Sequence, residues 1–445
     1  MSITRYLGVG ALLLSLASLT NAHGAATAEP ITIDTVWAGH PVGFALLTHD
    51  PMQFVAYYDG DRNMVVASRL LDGTEWTRVV LPETVGWDSH NYITLAMDDK
   101  ECLHLSGNMH VNPLVYFKMA RPLDIESMTR VERLVGKEES RMTYPRFFRG
   151  PANEFIYTYR DGSSGSGNQI YDVYDADTDT WSRLLDQPLT DGHGAMNAYL
   201  DGPRLGPDGR YHVVWVWRDT SDCATNHHAS YMRSPDLRHW ETAAGEPLTL
   251  PVTIDSTGTI VDPVPPGGGL INGNIRLGFD AEKRPVVSYH KYDGDGNSQV
   301  YNARWNNTGW AISQASDWND RWDFQGGGSI EFKVRVGAVH ANADGTLEQT
   351  WSHWNLGSER WLLDATTLRA TEKLPKKPSD RPEGFNQPTS DFSGIRVRTA
   401  PDLGPSPDKG TRYLLRWETL GPNRDKPQTL PVPPPGELKL YQLAR

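Results

Sequence analysis

The clearest hydrophobic pattern in the chain runs from Asp88 to His110, DSHNYITLAMDDKECLHLSGNMH. Apolar residues alternate in YITLAM, the polar DDKE run reads as a turn, and LHLSG resumes the alternation. This predicts a strand, a turn and a second strand. His90 precedes the first strand and His110 follows the second. A hairpin then brings both imidazoles to one rim of a sheet, the arrangement an acid–base site needs.

Short strand-like runs recur along the chain between Asp, Gly and Asn turns, and no stretch after the N-terminus keeps a helical period. Several close on a polar turn followed by tryptophan: Trp76, Trp181, Trp240, Trp310 and Trp361, spaced 105, 59, 70 and 51 residues apart. The first interval is about double, and MTRVERLV near Val131 supplies a Trp-less member of the series. A unit of roughly 50–70 residues with a hairpin and a turn-proximal aromatic predicts an all-β fold, a β-propeller. At roughly 60 residues per blade it has about seven blades. The tryptophans are read as packing between blades, not as sugar platforms. Residues 371–435, rich in Pro, Lys, Asp and Gly, read as long loops. The terminal ELKLYQL alternates and is expected to pair with ITIDTVWAG and close the ring. No linker divides the chain, so residues 23–445 are expected to form a single domain.

Composition adds three constraints. MSITRYLGVGALLLSLASLTNA has Arg5, an apolar core from Tyr6 to Leu19 and small residues at Thr20-Asn21-Ala22. Residues 1–22 therefore read as a signal peptide, the mature chain starts near His23, and the protein is expected to be secreted or periplasmic. Cys102 and Cys223 are the only cysteines. They either pair or are buried separately, and they do not make a disulfide scaffold. The net charge of −12 means that an anionic substrate has to be held by a local cationic cleft. With no basic tract or recognised motif, nucleic acid is not an expected partner.

Polar, ionisable groups concentrate in DSHNYI (His90, Asn91), GNMH (Asn108, His110), RMTYPRF (Arg141, Tyr144, Arg146) and FIYTYRDG (Tyr159, Arg160). They fall in consecutive units of the repeat, mostly at strand ends. Further on lie GHGAMNAY with His193, Asn197 and Tyr199, and VSYHKYD with His290, which could face the same cleft. WVWRDTSDCATNHHASY packs Asp219, Asp222, Cys223, His227 and His228 together. Asp, Cys and His are zinc-type ligands, but their spacing follows no standard zinc motif. There is no GxSxG, HExxH or phosphate loop, and the Asp-rich turns lack the EF-hand pattern.

In these motifs the chain resembles the β-propeller ulvan lyases of polysaccharide lyase families 24 and 25, closer to family 25, within a wider BNR-repeat-like group. The stretches that carry the resemblance include DSHNYI, GNMH, TYPRF, YRDG, NAY, WVWRDT, NHHASYMRSPDLRHW, GGGLINGN and RPVVSYHKYD, in order from about residue 85 to residue 324. The residues after about 330 carry little of it. The resemblance implies cleavage of ulvan, a polymer of sulfated rhamnose and uronic acids, by β-elimination at C4–C5 of the uronate. It implies that His90, His110, Tyr144 and Arg160 form the catalytic group and that Asn91 and Tyr199 contact substrate. It also implies a structural metal, zinc or calcium, for which Asp222, Cys223, His227 and His228 are the candidate ligands; no cofactor is expected for the chemistry.

The residue types suit that reaction. Arg160 can clamp a carboxylate, a neutral His90 can take the C5 proton, and His110 can steady the developing enolate. Tyr144 can protonate the leaving oxygen, or act as base if Arg160 or Arg146 lowers its pKa. The expected partner is an anionic polysaccharide, with no nucleic acid and no membrane, and the chain is expected to be a monomer. The alternatives are a propeller glycoside hydrolase and a non-catalytic carbohydrate-binding propeller.

Overall fold

The computed structural model describes residues 29–405 and 410–444. The expected signal peptide and mature start at His23 lie outside them. The described chain is all-β, with two short 3-10 turns, Ile125–Ser127 and Cys223–Thr225. Among the described residues no helix is long and apolar enough to cross a membrane.

The strands fall into seven antiparallel sheets of four to six strands, taken in chain order. Their first long strands are Ala45–His49, Ile93–Met97, Met142–Arg149, Asn197–Leu205, Ile275–Phe279, Val334–Val336 and Ile395–Pro401. The hairpin expected around Asp88–His110 forms: Ile93–Met97 pairs with Leu103–Gly107, Ile93 opposite Gly107. Asp98 makes its turn by accepting from the backbone N–H groups of Lys100 and Cys102, at 2.9 and 2.8 Å. Asp280 makes an equivalent turn in the fifth sheet, accepting from Glu282 and Arg284. The short aspartate side chain supplies locally the acceptor that the turn needs.

The second strand of each sheet is the most buried. Tyr211–Arg218, YHVVWVWR, is buried at every position, whereas the fourth strand Thr77–Thr84 is mostly exposed. A strand covered by a neighbouring sheet on each face reads as a continuous apolar run instead of alternating. The core accordingly lies in the seams between sheets. Trp215 and Trp217 of the fourth sheet pack with Ile156 and Tyr171 of the third, and Val214 and Tyr231 pack with Val287 and Tyr289 of the fifth. Each such aromatic removes about 150–250 Å² from water, at most about 4–6 kcal/mol of burial. Trp76, Trp181, Trp240, Trp310 and Trp361 all join these seams, as expected.

The two ends of the described chain meet in the seventh sheet. Ile31–Val36 pairs with Gly436–Ala444, Ile31 opposite Leu440, which is the expected terminal pairing. That sheet also packs on the first through Ile395–Pro401 against Ala45–His49. Cys102 and Cys223 are both free and buried, so the disulfide alternative is not realised.

Candidate active site

The third sheet brings the site together. His110 opens a short strand, His110–Asn112, that leaves the second sheet's hairpin and pairs with Met142–Arg149, with His110 opposite Thr143. On its other side Thr143 lies opposite Arg160 in Phe155–Ser163. Residues paired across adjacent strands share a face, so His110, Thr143 and Arg160 form one row. The buried Thr143 hydroxyl ties the row, accepting from the Val111 N–H at 2.8 Å and from Arg160 Nη2 at 3.1 Å.

The row is bent at its centre. The ladder slips between Thr143 and Arg146, and Tyr144 in that bulge has φ 60°. Val111, beside His110, has φ 62°. A tyrosine and a β-branched valine both resist the left-handed region, and such strain concentrates at functional sites. The bulge swings the Tyr144 ring toward the histidines, 5.6 Å from His90 between ring centres.

His90 and His110 stack at 4.1 Å. One carboxylate organises both: Asp88 Oδ1 lies 2.7 Å from His90 Nδ1, and Oδ2 lies 2.5 Å from His110 Nδ1. Burial alone would raise the Asp88 pKa, but the hydrogen bonds from His110 and His90 hold it well below the usual carboxylate range. An ionised carboxylate only accepts, so each Nδ1 carries its hydrogen and each Nε2 is the free nitrogen. A second carboxylate, Asp425, lies 3.4 Å from His90 Nδ1 and 3.6 Å from the buried His40. Asp425 is fixed by the N–H and hydroxyl groups of Ser89 and Ser329. It too titrates well below the usual range, because its contacts with His40 and the charge of His90 outweigh its burial.

Arg160 is fully buried, and among the described residues no carboxylate pairs with it. Its guanidinium bonds to the Gly162 carbonyl, the Tyr199 hydroxyl and Thr143, and lies over the Tyr144 ring at 4.9 Å. A buried charge without a counter-ion is costly, which makes it a prepared site for an anion. The Tyr144 hydroxyl has no hydrogen-bond partner among the described residues. Burial and the neighbouring Tyr199 push its pKa well above that of a free phenol, and Arg160 offsets this only in part. Of the two roles expected for Tyr144, proton donor or base, the raised pKa favours the donor.

Two cavities meet at Tyr144, Tyr199 and Asn272. One, of about 320 Å³, contains His90, His110 and Arg218. The other, of about 520 Å³, contains Arg160, Arg146, Arg204 and Arg276. Tyr199 lines both. Asn91 lines neither: its backbone bonds to Asp88 and Tyr58, and its side-chain oxygen is buried without a partner among the described residues. His290 also stays out of the cleft. It is buried against Tyr292 and Trp322, bonds to the Gly269 carbonyl, and burial pushes its pKa down to about 4.

The candidate metal ligands do not converge. Asp222 accepts from the Ala224 and Gly326 N–H groups, Cys223 packs in an apolar seam, and His227 bonds to Asp219 and His228. Among the described residues only Asp88, His90 and His110 bring three ligand-type groups together. As placed, Asp222, Cys223, His227 and His228 do not form one group of ligand atoms among the described residues; only His227 and His228 meet.

Sequence reading passed over Asp88, Thr143, Arg218 and Asp425. Asp88 could have been found, two residues before His90 in the same motif. Arg218 repeats the Arg-Asp step of Arg160. Asp425 carries no local signal.

Comparison with known proteins bears on the family and the fold. Residues 52–318 match the pattern of a BNR repeat-containing family. A stretch of 150 residues is 26% identical to the short isoform of an ulvan lyase from Alteromonas sp. (strain LOR). That match covers 32% of this chain and only 28% of the relative's length. The fold is similar to the crystal structure of the polysaccharide lyase Uly1, with TM-score 0.61, 13% identity, and coverage of 91% of this chain and 90% of that one. It is also similar to a PL25 ulvan lyase bound to -[GlcA(1-4)Rha3S]-, with TM-score 0.56, 14% identity, and coverage of 93% and 96%.

Proposed function

The chain belongs to the BNR repeat-containing family, and on that footing we propose that it is a polysaccharide lyase that cleaves ulvan by β-elimination at its uronate residues. The observation that carries the reading is Arg160, a buried guanidinium with no acidic partner among the described residues, in one row with His110, which shares the Asp88 carboxylate with His90. The substrate name comes from the ulvan lyases that the chain resembles.

In this reading the uronate carboxylate pairs with Arg160, which removes the charge that otherwise keeps the C5 proton from leaving. His90 takes that proton at Nε2. The electron pair of the C5–H bond becomes the C4–C5 double bond, the C4–O bond breaks, and Tyr144 gives its proton to the departing oxygen. His110 steadies the carboxylate as charge builds on it. The proton transfer puts a positive charge on His90 against its stacked neighbour. Asp88 and Asp425 both face His90 and offset that charge.

Most glycoside hydrolases need a pair of carboxyl groups free to act as acid and base. Asp88 and Asp425 are instead held ionised against histidines. The seven sheets and the Ile31–Val36 to Gly436–Ala444 pairing support a seven-bladed propeller sealed by its two ends. We further take the chain to be exported by its first 22 residues and to act as a monomer.

The test is incubation with ulvan and no added cofactor. Growth of the unsaturated-uronate absorbance supports the lyase. New reducing ends without that absorbance mean a hydrolase, and binding without either product means a carbohydrate-binding protein.

A further inference from the structure

Arg160 has a counterpart in the next sheet. Tyr159-Arg160-Asp161-Gly162 ends Phe155–Ser163, and Trp217-Arg218-Asp219-Thr220 begins at the end of Tyr211–Arg218. In both, the arginine Nε donates to the carbonyl two residues on, Gly162 at 3.1 Å and Thr220 at 2.9 Å. In both, the arginine sits opposite a residue of the sheet's first long strand, Thr143 for Arg160 and Asn197 for Arg218. The aspartate that follows is not the partner in either case: Asp161 pairs with Arg141 and Asp219 with His227.

Arg218 therefore shares the unusual feature of Arg160. It is 7% exposed, and among the described residues no carboxylate pairs with it. It bonds only to neutral oxygens, those of Thr220, Asn272 and Ser221. Three of its five N–H groups are thereby used, as in Arg160, and one on each terminal nitrogen is left for a ligand. Both guanidiniums pack on Tyr199, at 5.8 Å for Arg160 and 5.5 Å for Arg218. Arg218 lines the cavity that holds His90 and His110, and Arg160 lines the adjoining one. The wider rim is cationic as well, since Arg146 bonds only to carbonyls while Arg204 and Arg276 share the single Asp201.

We propose that Arg218 is the anchor of a second oxyanion subsite, so that the cleft grips a polysaccharide by two anionic groups on different sugars, one at each guanidinium. The occupant is a sulfate ester or a second uronate carboxylate, since both present oxygens that accept a forked pair of N–H bonds. Both guanidiniums pack on Tyr199, so a chain satisfies the two sites together only if it carries two anionic groups at that spacing. This rests on the lyase reading for the class of ligand. The buried, unpaired charge of Arg218 is independent of it.

The experiment measures binding in the His90→Ala background, where turnover does not interfere. Three probes are used: a glucuronate–rhamnose 3-sulfate oligosaccharide, its desulfated form and its carboxyl-reduced form. Arg218→Gln is expected to weaken the intact oligosaccharide about 10- to 100-fold, the range of a charged hydrogen-bonded contact. It should leave unchanged the affinity for whichever probe lacks the group that Arg218 holds: the desulfated form if that is sulfate, the carboxyl-reduced form if it is a carboxylate. Equal weakening of all three probes, or no weakening of any, overturns the proposal. If Arg218→Gln does not fold, Arg218→Lys carries the same comparison, since it keeps the charge and loses the planar fork. Failure of wild-type enzyme to form unsaturated product sinks the lyase reading instead, and leaves the binding comparison standing.

Discussion

The Asp425 carboxylate lies 3.4 Å from Nδ1 of His90, on a loop near the end of the chain that the family match does not reach. It is pinned there by Ser89, the residue before His90, and by Ser329. The C-terminal loop thus completes a site whose other named side chains fall between Asp88 and Arg218, and it gives His90 a second negative neighbour.

Removing that neighbour should be visible in a pH profile. Asp425→Asn is expected to lower kcat about tenfold, the scale of one charged contact, and to move the acid limb of kcat/KM to lower pH. The direction follows because a carboxylate favours the imidazolium, so its loss makes the imidazole harder to protonate. A lower rate with an unmoved limb would mean that Asp425 only braces the loop.

Tyr144 should act as an acid at every usable pH. Burial and Tyr199 hold its pKa above that of a free phenol, so the hydroxyl keeps its proton to at least about pH 10. Tyr144→Phe is expected to cost about 10²- to 10⁴-fold in kcat, with little change in polymer binding. A wild-type alkaline limb below pH 9 that disappears in Tyr144→Phe would contradict this assignment.

Arg160 is held for its ligand at the expense of the free protein. Arg160→Gln removes a buried charge that no acid offsets, so Tm should stay within about 3 °C of wild type or rise, while lyase activity disappears. Thermal unfolding of the ligand-free variant measures it. A fall of 6 °C or more would show that Arg160 is a structural tie.

Acid should unfold the protein partly through Asp88. Its pKa is depressed in the folded state, so its contribution to stability is present above the unfolded value of about 4 and is lost as pH falls below it. Asp88→Asn should therefore be less stable than wild type at pH 7, with a shallower loss of stability between about pH 5 and pH 2. Urea unfolding at a series of pH values tests this, and parallel curves for the two proteins would refute it.

What the sequence settled by itself was local. Alternation, Asp turns and the tryptophan spacing specify strands and hairpins, because those depend on neighbours a few residues apart. The pairing of ELKLYQL with ITIDTVWAG was legible for the same reason, since each carries a complete strand pattern. His90, His110, Tyr144 and Arg160 stood out because each sits in a short motif at a strand end. Only the tertiary structure decided what these groups do to one another. The strained bulge at Tyr144 arises in the pairing of two strands, and the shared Asp88, the unpaired charges of Arg160 and Arg218 and the arrival of Asp425 arise where distant segments meet. The same holds for Asp222, Cys223, His227 and His228, which crowd together in sequence but of which only His227 and His228 meet in space. Burial and the presence or absence of a counter-ion are properties of the packed seams, and no window of the sequence contains both sides of a seam.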